Sequence, residues 1–323
     1  MTQTKPRIVI TRRLPEKAEQ RLVRDYGAEC NVDDRQFSAD QLRHALQTAD
    51  IVLCTLTDRL TRDILDTGGR RARMLANFGV GYDHIDLSAA REAGLVVTNT
   101  PGALTEDTAD VALLLMLAAA RRASEGEQEL RTGRWTGWRP THLLGRSVHG
   151  ATLGIVGLGR IGEAVAKRAH FGFGMSVQAL ARPRSPRQAP AIVTMVPSLR
   201  ELLGTSDFVS LHCPASKDTF HLINSLTLGF MKPTSVLINT ARGPIVDSAA
   251  LAEALTQGRI AAAGLDVYEG EPTIDPALLR APNVTLLPHI GSATISSRTA
   301  MGMIAADNID AFVKGLAPPN RLV

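Results

Sequence analysis

Short apolar runs alternate with stretches of helical spacing over the first hundred residues. Arg7–Ile10 reads as a strand, Pro15–Tyr26 has helical periodicity, and Asp40–Leu46 is a second helix. Asp50–Cys54 (DIVLC) is a strand, and Thr61–Asp66 is a short helix with Thr61 as its N-cap. Met74–Phe78 and Leu95–Val97 are further strands on either side of a helix, Asp86–Ala93. Strands alternating with helices predict a parallel sheet covered on its faces.

The pattern then changes. Thr105–Arg131 reads as one long helical stretch, with Glu106 and Asp107 near its start and arginines near its end, complementing the helix dipole. Its apolar run from Val111 to Ala120 is ten residues long. A bilayer needs about 20, so this run is expected to be a fully buried helix that joins two βα regions. Arg134–Gly150 holds both tryptophans and several turn residues, and reads as an irregular loop. From Ala151 a second alternating series begins. It runs through ATLGIVG, a helix to Phe173, strand Ser176–Ala179, helix Leu199–Leu203 and strand Asp207–His212. Strand Val236–Asn239, helix Ser248–Thr256, strands Ile260–Leu265 and Val284–Leu287, and a final helix Thr294–Lys314 complete it.

Composition narrows the class. In 323 residues, 44% are hydrophobic and 21% charged, which excludes disorder and coiled coil for the bulk of the chain. Cys30, Cys54 and Cys213 form no CxxC pair, so neither a disulfide framework nor a metal site is expected. The N-terminus carries no apolar targeting region, and a cytoplasmic protein is the expectation. The charge is 36 − 32 = +4, but the arginines are dispersed and aromatics reach only 4%. Neither nucleic acid nor membrane is therefore an expected partner. The basic excess instead points to small anions.

Gly157-Leu158-Gly159-Arg160-Ile161-Gly162 follows the apolar strand Leu153–Val156 and opens a helix. In that context GxGxxG reads as a dinucleotide turn, with the pyrophosphate on the helix N-terminus. An NAD site carries an acid about 20 residues on, at the end of the second strand. Here that end reads Ala181-Arg182-Pro183-Arg184, with no acid. A small neutral residue followed by arginines suits a 2′-phosphate, so NADPH is predicted over NADH.

Three later segments place polar residues just beyond buried-type strands, where open α/β sheets bind ligands. They are NTARG at 239–243, LDVYEGEP at 265–272 and PHIGSAT at 288–294. With the glycine turn, NFGVGYDHID at 77–86 and NTPGALTEDTAD at 99–110, these segments resemble the D-isomer-specific 2-hydroxyacid dehydrogenase family along nearly the whole chain. GRWTGWRP at 133–140 and the acid-free end of the second strand resemble its glyoxylate/hydroxypyruvate reductases.

The resemblance implies an α/β fold of two Rossmann-like or flavodoxin-like parallel-sheet domains. The cofactor domain, 103–291, would be inserted into a substrate domain of 1–102 plus 292–323, with the active site in the cleft. It also implies a catalytic triad of Arg242, Glu271 and His289. The chemistry agrees: reducing a 2-oxo acid needs hydride at C2 and a proton on the carbonyl oxygen, which a histidine can supply. A carboxylate on the far ring nitrogen favours imidazolium, and an arginine can hold the substrate carboxylate and stabilise the developing oxyanion.

By the same resemblance, the backbone amides of Val80 and Gly81 meet the substrate carboxylate and Leu56 walls the substrate side chain. Cys213, Pro214, Thr240, Asp266, Gly291 and Thr105 line the cofactor. The loop bearing Trp138 reaches the active site of a partner in a homodimer. Glu271 argues against formate-oxidising members, which have Gln there, and Val80 against phosphite-oxidising ones, which have Lys. The expected reaction is NADPH-dependent reduction of glyoxylate or hydroxypyruvate to the D-2-hydroxy acid. A broader D-lactate-type dehydrogenase and a dinucleotide-sensing corepressor remain the alternatives.

Overall fold

The computed structural model describes residues 5–181 and 188–323. The chain divides into two compact units, Met1–Leu104 with Ala293–Val323, and Thr105–Ser292. The first begins with β1 (Ile8–Ile10), α1 (Glu16–Tyr26), α2 (Ala39–Thr48), β2 (Ile51–Thr55) and α3 (Arg62–Leu65). β3 (Met74–Phe78), α4 (Leu87–Glu92) and β4 (Val96–Thr98) follow. The second unit contains α5 (Thr105–Ala120), α6 (Ala123–Arg131), β5 (Thr152–Val156), α7 (Arg160–Phe173), β6 (Ser176–Leu180), β7 (Val193–Val196) and α8 (Leu199–Thr205). It continues with β8 (Phe208–Leu211), α9 (Ser225–Leu228), β9 (Val236–Asn239), a 3-10 turn (Gly243–Ile245), α10 (Ser248–Thr256), β10 (Ala262–Leu265), α11 (Pro276–Arg280) and β11 (Val284–Leu286). The chain then returns to the first unit as α12 (Ile295–Val313).

The first sheet is parallel in the order β1-β2-β3-β4. Glu29 adds a one-residue parallel bridge on the free side of β1, so the chain order reverses at that strand in the flavodoxin manner. The second sheet, in the order β11-β10-β9-β8-β5-β6-β7, is parallel throughout. Its order reverses between β5 and β8, which makes their carboxyl ends the switch point where such sheets take ligands. Both faces are covered. Leu153 and Ile155 of β5 pack with α5 and α7, while Val156 packs with α8 and α10 residues. Period-two alternation thus buries every side chain of strands such as VLIN at 236–239.

Several expectations need correction. The helical stretch 105–131 is two helices, broken at Arg122, which has φ +53°. The segment at 145–146 packs against the break. Arg146 N–H donates to the Ala120 carbonyl (2.7 Å), and a Cβ at Gly145 would lie 2.3 Å from that oxygen. Residues Val111–Ala120 are not fully buried either, since Leu114 is 50% exposed. Thr61 stands at the N-cap of α3, but its hydroxyl turns to Asp63 instead of capping. β7, α9 and α11 went unforeseen; the last two are short and depend on Asn224 and Asp275 as N-caps.

Candidate active site

β9, β10 and β11 end side by side, and the loops beyond them carry Arg242, Glu271 and His289. His289 adopts φ +56°, a left-handed backbone uncommon for residues with a Cβ. Asp266, just past β10 and 1% exposed, holds it there. Its two oxygens accept the N–H groups of Ile290 and Gly291, each at 2.7 Å. Burial pushes the Asp266 carboxyl up from its ordinary value, against the opposing pull of those two amides. The Gly291 carbonyl in turn accepts the Thr108 hydroxyl of α5 at 3.0 Å. Tyr268, also buried, donates its hydroxyl to the carbonyls of Leu265 (3.1 Å) and Leu287 (2.7 Å), stapling the two strand ends.

The His289 ring faces Glu271, with Nδ1 2.8 Å from Oε2. The other carboxylate oxygen accepts the Tyr268 N–H at 2.8 Å. Burial alone would push Glu271 up. The hydrogen bond and attraction of His289, the Tyr268 amide and the charge of Arg242 outweigh it and hold Glu271 below the usual value. Glu271 is therefore ionised near neutrality and can only accept, so Nδ1 carries the proton and Nε2 is the nitrogen left for chemistry.

Arg242 precedes the 3-10 turn. Asn239, 1% exposed at the end of β9, fixes that approach: its side chain donates to the Arg242 carbonyl (2.9 Å) and accepts from Ala241 N–H (3.0 Å). The Arg242 guanidinium donates to the Ala241 carbonyl at 2.7 Å. Gly243 brings this loop against the next one. A Cβ there would lie 1.9 Å from the Tyr268 carbonyl carbon, so only glycine permits the backbones to touch. Sequence reasoning passed over Asn239, Gly243 and Tyr268. Their signal was present in NTARG and LDVYEGEP, but it became readable only with the loops in contact.

The glycine turn stands at the switch point. Gly157 has φ +101°, and a Cβ on it would sit 2.5 Å from Cys213 N. A Cβ on Gly162 would sit 2.5 Å from the Gly157 carbonyl, so α7 lies directly against the turn. Around Gly159 there is open space among the described residues: a Cβ would meet none of them within 4 Å. Leu158 and Ile161 pack on the core while Arg160 is exposed. Just past the end of β9, the buried Thr240 hydroxyl has no hydrogen-bond partner among the described residues. A closely packed turn, an open approach to a helix N-terminus and an orphaned hydroxyl fit a dinucleotide. Burial drives the Cys213 thiol up to about 11, so little thiolate is present near neutrality.

The remaining sequence-predicted residues are placed as follows. Ala181 follows β6 and donates its N–H to the Val196 carbonyl at 2.8 Å, whereas Arg182 and Arg184 lie outside the described residues. Pro214 is exposed, and Thr105 opens α5. Val80, Gly81 and Leu56 belong to the first unit, with Leu56 45% exposed. Trp138 is 82% exposed on the 134–150 loop, which the His142–Glu129 contact (2.7 Å) pins to α6.

The sheet reversal and its glycine turn define a dinucleotide-binding α/β enzyme. Residues 113–291 match the family model described as D-isomer specific 2-hydroxyacid dehydrogenase, NAD binding domain. The glyoxylate reductase of Thermococcus litoralis is 43% identical over 320 residues, covering 98% of this chain and 96% of that protein. The glycerate dehydrogenase of Hyphomicrobium methylovorum is 38% identical, covering 97% of each. The NADPH-dependent glyoxylate/hydroxypyruvate reductase of Sinorhizobium meliloti, solved with NADP and malonate, superposes with a TM-score of 0.87 at 36% identity, covering 99% of this chain and 97% of that one. The chain belongs to the D-isomer specific 2-hydroxyacid dehydrogenase family.

Among the described residues, no helix is long and apolar enough to cross a membrane, and no group of three or more His, Cys, Asp or Glu side chains could hold a metal ion.

Proposed function

We propose that this enzyme reduces a small 2-oxo acid, glyoxylate or hydroxypyruvate, to the D-2-hydroxy acid with NADPH. The observation that carries the reading is the His289–Glu271 pair beside the Arg242 loop. The curated relatives and the Sinorhizobium reductase support it.

The unit of residues 105–292 takes the cofactor and that of 1–104 with 293–323 presents substrate-binding groups. Gly157–Gly162 would hold the pyrophosphate, Arg182 and Arg184 beyond Ala181 the 2′-phosphate, and Cys213, Pro214, Thr240, Asp266, Gly291 and Thr105 the remainder. When bound, the cofactor supplies the hydride that arrives at C2. Arg242 holds the substrate carboxylate and polarises the carbonyl, where negative charge develops. His289 gives the carbonyl oxygen its proton from Nε2. Glu271 orients the ring through Nδ1 and leaves Nε2 for that transfer. Val80 and Gly81 bind the carboxylate through backbone N–H groups, and Leu56 bounds the space for the substrate side chain. We further propose a homodimer in which Trp138 completes the partner's substrate pocket.

Measuring kcat/KM for glyoxylate, hydroxypyruvate and pyruvate with each cofactor tests the proposal. The expected result is a preference for NADPH and for the first two acids. A clear NADH preference overturns the cofactor assignment. Absence of turnover with all three acids overturns the reductase reading.

A further inference from the structure

The turn after β3 is built to keep backbone N–H groups free. Gly79, Val80 and Gly81 all direct their carbonyls at partners within the first unit. The Gly79 carbonyl accepts from Thr100 N–H (3.0 Å) and Asn77 Nδ2 (3.2 Å). That of Val80 accepts from Asn99 Nδ2 (2.9 Å), and that of Gly81 from Asn77 Nδ2 (2.8 Å). These peptide bonds are trans, so each N–H points opposite the carbonyl of its own peptide unit. The Val80 and Gly81 amides therefore face away from the two asparagines, and neither donates to a partner among the described residues. Successive free N–H groups on a turn form an anion-binding concavity.

The two asparagines stand together because of strand register. Ala76 of β3 pairs with Thr98 of β4, which puts Asn77 beside Asn99 one residue on. Asn77 is fully buried and Asn99 is 8% exposed. Asn99 is further fixed by its main chain. Its N–H donates to the Asn320 carbonyl (3.2 Å), and its carbonyl accepts Asn308 Nδ2 of α12 (3.2 Å). Asn308 Oδ1 then accepts the Asn320 N–H at 3.1 Å. The turn is thereby tied to α12 and to the C-terminal residues. Asparagine is the residue type required, because its amide supplies donors without charge. An aspartate would set an acceptor against carbonyl oxygens and a negative charge beneath an anion.

We propose that Asn77 and Asn99 are positioning residues for the substrate carboxylate. They hold the carbonyls of residues 79–81 back, so that the Val80 and Gly81 amides meet the anion and no carbonyl repels it. This rests on the reading of Val80 and Gly81 as carboxylate-binding. The test is steady-state kinetics on the full-length enzyme with glyoxylate, together with the inhibition constant of unreactive oxalate and the cofactor dissociation constant. Asn77→Ala and Asn99→Ala should each raise KM and the oxalate constant about tenfold, the loss expected for one hydrogen bond to a charged group. kcat should stay within about threefold, as expected when ground state and transition state lose the same contact. Cofactor affinity should not move.

Asn77→Asp preserves volume, so it keeps the test informative if an alanine variant fails to fold; its KM should rise at least as far. Unchanged KM and oxalate constants in these variants, or a fall in kcat at constant KM, overturn the proposal. Val80→Pro, which removes one of the N–H groups, separates the two levels. If it raises the oxalate constant while the asparagine variants do not, only the positioning role fails. If it leaves the constant unchanged, the carboxylate reading fails and the positioning role fails with it.

Discussion

The two oxygens of Glu271 take different partners, and the partners have different roles. Tyr268 N–H fixes the carboxylate and the carboxylate fixes His289. Glu271→Gln keeps the shape but replaces the carboxylate that accepts from Nδ1 with a neutral amide. We expect kcat to fall about 100-fold, within the range of acid–base contributions, with cofactor affinity unchanged. The substitution also bears on stability. A carboxyl held below its ordinary 4.5 in the folded protein stabilises it above that pH, and the contribution is lost as pH falls through the lowered value. The acid limb of the melting curve should therefore be shallower in the glutamine variant. Gly243 has a different role, in packing. Gly243→Ala forces a methyl group into the Tyr268 backbone and separates the Arg242 loop from Glu271. A loss of about 1–3 kcal/mol, the scale of overpacking, and a drop in kcat/KM should appear together. An alanine variant with normal stability and activity would contradict the contact.

At the scale of elements, the carboxyl ends of β5 and β8 carry a second pH-sensitive group. Burial pushes the His212 imidazole down to about 4 from an ordinary 6.5, and Ser210 Oγ lies 2.8 Å from its Nε2. The folded protein then binds this proton less readily than the unfolded chain. Stability from this source is complete above pH 6.5 and declines as pH falls toward about 4. The melting temperature should drop between those values, and His212→Asn should flatten the drop. An unchanged slope would show that other groups set it. The same scale explains the split of the helical stretch 105–131. The chain turns polar after Ala120, and α5 ends where residues 145–146 pack against its last carbonyl, a contact that local spacing does not encode.

At the scale of the molecule, two sheets from one chain each show an order reversal, and one of them carries the glycine turn. The 134–150 loop is held to α6 by His142 and Glu129, yet leaves Trp138 82% exposed. This exposure supports the proposal that Trp138 acts across a homodimer interface. Trp138→Ala should change the ratio of KM values for glyoxylate and hydroxypyruvate. If only the dimer dissociation constant moves, Trp138 is an interface residue and the pocket role is lost.

The glycine turn was legible in the sequence because its requirements are local: a strand, glycines at fixed spacing and a helix start. The alternation of elements was legible for the same reason, since each strand and helix buries its own periodic face. The order of their motifs singled out Arg242, Glu271 and His289 as candidates, and the structure sets the His289 ring against Glu271. Their supports were not legible. Asp266 meets Ile290 and Gly291 across 24 residues or more, and Asn77 meets Asn99 only through the pairing of Ala76 with Thr98. Parallel pairing joins residues distant in sequence at strand ends, and no periodicity along the chain records which ends become neighbours. The sequence by itself determined which groups are present for chemistry. Only the tertiary structure decided which carbonyls are held back, which amides stay free and which side chains hold the histidine in place.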